Sequence, residues 1–116
     1  MATVSGDIGT GDRHAVVFQN GSVTDLTPNL AAPQESFANW INKSGQIVGG
    51  SAGRAFVWQN DVMTDLNTLV QAGYGDVLTT AQDINDLGEI TGRAFDPISG
   101  ARPAFLAVPS PGQGGR

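Results

Sequence analysis

A chain of 116 residues, 40% of them apolar, has the length of one domain and enough apolar side chains for one modest core. Eleven acidic against six basic residues leave a net charge of −5, with Lys43 the only lysine; a nucleic-acid partner, which needs clustered basic side chains, is not expected. No apolar run approaches the roughly 20 residues of a membrane span, and the absence of cysteine excludes disulfides and thiolate chemistry.

The opening residues, "MATVSGDIG", lack the charged and apolar regions of a signal peptide, so a leader, if there is one, is expected to lie outside this sequence. "VSGDIGTG" at 4–11 matches "KSGQIVGG" at 43–50 and predicts a worn strand near 5–10. "HAVVFQNGSVTDL" at 14–26 then predicts two strands, 14–19 and 22–26, joined at Asn20-Gly21. That pair supplies the positive φ angles of a type I′ hairpin turn. "ANWINKSGQIVG" at 38–49 predicts a hairpin of strands 36–42 and 46–52, closed at Gly45.

The chain now repeats itself. "RAFVWQNDVMTDL" at 54–66 agrees with 14–26 at 7 of 13 positions, and "AQDINDLGEITG" at 81–92 agrees with 38–49 at 6 of 12. These copies predict strands at 54–59, 62–66, 78–85 and 88–95, with "NTLVQAG" at 67–73 forming at most a turn of helix. "PAFLAVP" at 103–109 is a third copy of the opening phrase, within a strand expected at 102–108 after an insertion, "FDPISGA", at 95–101. Self-similarity at about 40 residues is the signature of stacked repeats.

Each unit therefore reads as up to four short strands, a to d, over 4–26, 36–66 and 78–109, within a single domain 1–109 followed by a Pro/Gly-rich tail, 110–116. The c-strand cores "AVVF", "AFVW" and "AFLAV" are apolar on successive residues, as in a strand buried on both faces. The expected fold is all-β, with antiparallel four-stranded repeats stacked as blades of β-propeller type. A β-trefoil is the alternative, although it needs roughly twelve strands, more than the sequence offers. The sequence enters its first unit at strand b and leaves its last at strand c. Since propeller rings use about four to eight blades, a homo-oligomer joined through the first and last units, or a longer parent ring, is expected.

These phrases resemble the HAF repeat, a bacterial repeat whose pattern runs I-N-x-x-G-x-V-x-G, then x-A-F-x-W, then G-x-M-x-D-L. Here the elements are Ile41-Asn42, Gly45, Ile47 and Gly49; Arg54-Ala55-Phe56-Val57-Trp58; and Met63-Thr64-Asp65-Leu66, with His14-Ala15-Val16 nearest the naming triplet. The resemblance covers about 4–109. It implies a secreted or cell-surface protein built of propeller-like blades, and it brings no catalytic residues. The tail "AVPSPGQGGR" is similar to the start of the Pro-rich export tail that such proteins carry.

Few residues suggest chemistry. His14 fills a slot held elsewhere by Arg54 and Pro103, and no cysteine can join it in a zinc site; a structural role is expected. Asp25 and Asp65 recur at repeat spacing, which favours accepting backbone N–H bonds at strand ends over catalysis. "DINDLGEI" at 83–90 has the outline of a calcium loop, but Leu87 stands where an oxygen ligand is needed, so a glycine-closed turn is expected. "GDIGTGD" at 6–12 has no lysine and no following helix, which argues against a phosphate loop. No metal and no cofactor are expected. Trp58 aligns with Phe18 in an apolar strand and is expected in the core. Trp40 aligns with Asp83, so the framework does not demand an indole there, and Tyr74 lies in the long 67–77 connection. Trp40 and Tyr74 are the candidates for stacking on a glycan or a protein ligand. A non-enzymatic binding or structural module is the reading expected, with a fragment of a carbohydrate-active propeller enzyme as the alternative.

Overall fold

The structure is a computed structural model that describes residues 2–7, 13–19, 21–27, 34–70 and 75–109. The fold is all-β and antiparallel throughout. Its strands are β1 (Ala2–Asp7), β2 (Arg13–Gln19), β3 (Ser22–Asp25), β4 (Ser36–Ile41), β5 (Ile47–Ser51), β6 (Arg54–Gln59), β7 (Val62–Asp65), β8 (Val77–Ile84), β9 (Ile90–Phe95) and β10 (Ala104–Ala107). They form three sheets in sequence order: β1-β2-β3, β4-β5-β6-β7 and β8-β9-β10. A 3-10 turn at Leu66–Thr68 follows β7, with the Asp65 side chain accepting from Asn67 N at its start.

The turns follow from the residues placed in them. Gly21 has φ +79°, and Asn60 and Asp61 have φ +53° and +68°, the left-handed angles a tight hairpin needs. Gly45 and Gly88 close the two equivalent hairpins at φ +85° each. In both, an asparagine organises the turn. Asn42 Oδ1 accepts from Ser44 N and Gln46 N, and Asn85 Oδ1 accepts from Leu87 N and Glu89 N. The inserted loop after β9 is closed in the same way by Asp96, which accepts from Ile98 N at 2.9 Å and from the Ser99 hydroxyl at 2.8 Å.

The middle sheet is covered on both faces, as its unbroken apolar β6 predicts. On one side Ile47 and Phe56 meet Ala15, Val17 and Leu26 of the first sheet, with Trp58 and Met63 packed at the margin. On the other, Val48, Ala55 and Leu66 meet Leu78, Ala81, Ile84 and Ile90 of the third. β4 lies against β1 and β2, and β8 against β4, β5 and β6. Polar links join the layers. Ser36, fully buried, accepts from Ala15 N and shares a 2.6 Å hydrogen bond with Thr27, while Asn67 Oδ1 accepts from Leu78 N.

Several expectations need correction. The first strand runs over 2–7, and Thr3 stands opposite Val17 where Val48 stands opposite Val57. Thr3 is therefore the counterpart of Val48, and the "VSGDIGTG" match is not the pairing used. Register is set by the pairing with β2, which the glycine phrase does not encode. Trp58 is half-buried, because it packs at the edge of the cluster instead of within it. Gly50, outside the shared phrase, carries a packing demand of its own: the Phe37 ring lies 2.8 Å from where a Cβ would sit.

Candidate functional site

Trp40 sits near the end of β4, an edge strand of the middle sheet, and is 53% exposed. The pairing of β4 with β5 slips between Ala38 and Trp40. Such a bulge re-aims the side chains beside it. Asn39, the extra residue, reaches the third sheet and donates to the Ala81 carbonyl at 2.8 Å. An indole with half its surface in water at a strand margin is not explained by core packing.

The ring borders a groove of about 440 Å³ whose other walls are Asp83, Ile84, Thr91 and Leu106 of the third sheet and Asn85 and Glu89 of the β8–β9 turn. Asp83 on β8 and Thr91 on β9 are cross-strand partners. Among the described residues, neither side chain has a hydrogen-bond partner. Asn85 and Glu89 are fixed instead, with Asn85 Nδ2 donating to Glu89 Oε1 at 2.8 Å. The floor is rigid because the two Asn-led turns are joined. Asn42 Nδ2 donates to the Asn85 carbonyl at 3.0 Å, and Lys43 N donates to Asp86 Oδ1 at 2.9 Å. The groove therefore offers an aromatic plane, an indole N–H, an uncommitted carboxylate and an uncommitted hydroxyl.

Tyr74, the other candidate from the sequence, lies outside the described residues. Thr91 and Leu106 were not singled out by the sequence; Asp83 entered there only as the first residue of the calcium-like stretch and as the counterpart of Trp40. A second, apolar cavity of about 480 Å³ lies between the middle and third sheets, bordered by Val57, Leu69, Leu78, Ile90 and Val108. It continues the core and carries little polar chemistry.

The recurrent aspartates do the same work in both copies. Asp25 Oδ1 accepts from Thr27 N at 2.8 Å, and Asp65 Oδ1 from Asn67 N at 2.9 Å. Their other oxygens hold the first residue of the c phrase: His14 Nδ1 at 2.8 Å in one copy, Arg54 Nε at 2.5 Å in the other. Burial pushes the Asp65 carboxyl up, but hydrogen bonds from Arg54 and Asn67, together with the Arg54 charge, outweigh this and hold it below its ordinary range. His14 Nε2 is buried without a hydrogen-bond partner among the described residues.

In the "DINDLGEI" stretch, Asn85 Oδ1 is already engaged by two backbone N–H groups and Gly88 closes the turn, so the glycine-closed turn is what forms. Among the described residues no group of three or more His, Asp or Glu side chains is placed to hold a metal. No helix among them is long and apolar enough to cross a membrane. No protein-family model, curated protein or solved structure matches the chain.

Proposed function

We propose that this chain is a non-enzymatic, extracellular binding module built of propeller-type blades, and that the groove beside Trp40 holds a neutral carbohydrate. The observation that carries the reading is the half-exposed indole facing an unpartnered carboxylate and hydroxyl across one groove. A pyranose presents a C–H face that stacks on an aromatic plane, while its rim of hydroxyls donates to a carboxylate and exchanges hydrogen bonds with a threonine. Two carboxylates line the groove and no basic side chain does, which disfavours sulfated or uronic sugars. The blade arrangement is supported by the repeated phrases and by the sheet-on-sheet order, and the extracellular setting by the resemblance to the HAF repeat.

The competing reading, a glycan-cleaving site, draws on the same pair of carboxylates, Asp83 and Glu89. One experiment separates the two. A Trp58→Phe variant, in which Trp40 is the only indole, is titrated with a panel of neutral and acidic oligosaccharides by fluorescence, and each mixture is assayed for cleavage. Neutral sugars are expected to shift the Trp40 emission, with the response lost in Asp83→Asn and no product formed. Failure of every sugar to change the emission removes the carbohydrate reading; cleavage that Asp83→Asn abolishes replaces it with the enzymatic one.

A further inference from the structure

The two contacts between sheets are built from the same sequence positions. In the first, Ala15, Val17 and Leu26 of one sheet receive Ile47, Phe56, Trp58 and Met63 of the next. In the second, Ala55, Val57 and Leu66 receive Ile90, Phe105 and Ala107. The two receiving sets are counterparts: Ala15 with Ala55, Val17 with Val57, Leu26 with Leu66. The sets they receive match as well: Ile47 with Ile90, Phe56 with Phe105, Trp58 with Ala107. One interface design is used twice, in one direction.

Each outer sheet shows the half of that interface its inner face does not use. On the first sheet, the counterparts of Phe56, Trp58 and Met63 are Val16, Phe18 and Val23. Val16 is buried, but Phe18 is 46% and Val23 55% exposed. On the third sheet, the counterparts of Val48, Ala55 and Val57 are Thr91, Ala104 and Leu106. Ala104 and Leu106 are exposed, Leu106 by 64%, whereas Ala55 is fully buried against the next sheet. The outer faces are thus unlike one another and complementary by the rule the molecule already obeys twice.

We propose that the partner for these faces is a second copy of this chain, docked head to tail, with Phe18 and Val23 of one copy seated on Ala104 and Leu106 of another. The contact continues the internal stacking; it shares Leu106 with the Trp40 groove but does not rest on the carbohydrate reading. Because the two surfaces differ, it is heterologous, and repetition gives a ring if the rotation closes and a filament if it does not.

Multi-angle light scattering of the intact chain across micromolar to millimolar concentration tests this, with Phe18→Asp and Leu106→Asp as variants. Both side chains are exposed, so both variants should fold, which circular dichroism checks. The wild type is expected to grow in mass with concentration from the 12.0 kDa chain, and each variant alone to stay monomeric. The decisive sample is the mixture. Phe18→Asp keeps an intact third-sheet face and Leu106→Asp an intact first-sheet face, so together they should form a dimer and stop there. A wild type that remains monomeric throughout overturns the proposal. So does a mixture no heavier than its components, or a folded variant that associates as the wild type does.

Discussion

Asn42 donates its side-chain N–H to the carbonyl of Asn85, its own counterpart in the next copy of the phrase, at 3.0 Å. The same residue type thus closes two turns and, in one of them, also joins the turns together. Asn42 is buried, while Asn85 is exposed.

The two asparagines should therefore weigh differently. Asn42→Ala removes an acceptor from Ser44 N and Gln46 N and leaves the Asn85 carbonyl without this donor. A loss of about 2 kcal/mol is expected from these part-buried bonds, against about 1 kcal/mol for Asn85→Ala, whose exposed groups can turn to water. Urea denaturation of the two variants measures the difference, and equal losses would show that the bond between the turns contributes nothing.

Gly49 and Gly92 stand at matching positions on β5 and β9. A Cβ at either would collide with a backbone carbonyl, that of Phe37 in one sheet and of Thr80 in the other. Alanine at each site is expected to cost about 3 kcal/mol, since backbone cannot yield cheaply. At neighbouring Gly50 the obstacle is the Phe37 ring, which can turn aside, and about 1 kcal/mol is expected. Thermal melts of the three variants should rank them in that order.

Ala52 is a residue out of place. It holds φ +52° ahead of Gly53 at φ +82°, in the turn joining β5 to β6. Asparagine tolerates the left-handed region better than alanine, and Asn-Gly is the favoured pair for such a turn. The Ala52 side chain is exposed, so Ala52→Asn meets no packing obstacle. A gain of about 0.5–1 kcal/mol in unfolding free energy is expected; a loss would mean that the alanine methyl has a contact worth more than the strain.

Acid should expose the role of Asp65. Its carboxyl is held below the ordinary range by Arg54 and Asn67 against the effect of burial. A depressed folded pKa contributes stability above the unfolded value, and that stability is lost as pH falls through the folded value. The wild type is therefore expected to be more stable than Asp65→Asn at pH 7, with the gap closing below about pH 4. Urea midpoints at pH 7 and pH 3 provide the test, and a gap that ignores pH would assign the effect to hydrogen bonding alone.

Leu106 belongs both to the Trp40 groove and to the outer face of the third sheet. Ligand and second copy should then exclude one another. Saturating a self-associated sample with a sugar that shifts Trp40 emission is expected to lower its scattering mass; an unchanged mass would separate the two surfaces.

Much of the fold is legible in the repeated phrases. Asn60-Asp61, Gly45 and Gly88 name their turns, and "AFVW" names a strand covered on both faces, because hairpin chemistry and alternation are local properties. The start of β1 is not legible, since its register is chosen by β2 rather than by its own residues. Nor is most of the groove. Trp40 is visible as a departure from the repeat, but Asp83, Thr91 and Leu106 meet it only through the stacking of β4 on β8, a relationship between copies that no single copy encodes.

Among the described residues every strand pairs only with its immediate neighbour in the chain, and no strand pairing reaches from one sheet to another. Each sheet can thus be assembled by closing short loops, for which the entropic cost is small. The long-range step is left to the docking of finished meanders, where burial accrues from many side chains at once. Such an order of events places the slow, aggregation-exposed stage at docking and not at strand pairing. The duplicated phrase is then also a kinetic instruction: a meander that forms early carries on its face the template for the next one to settle upon.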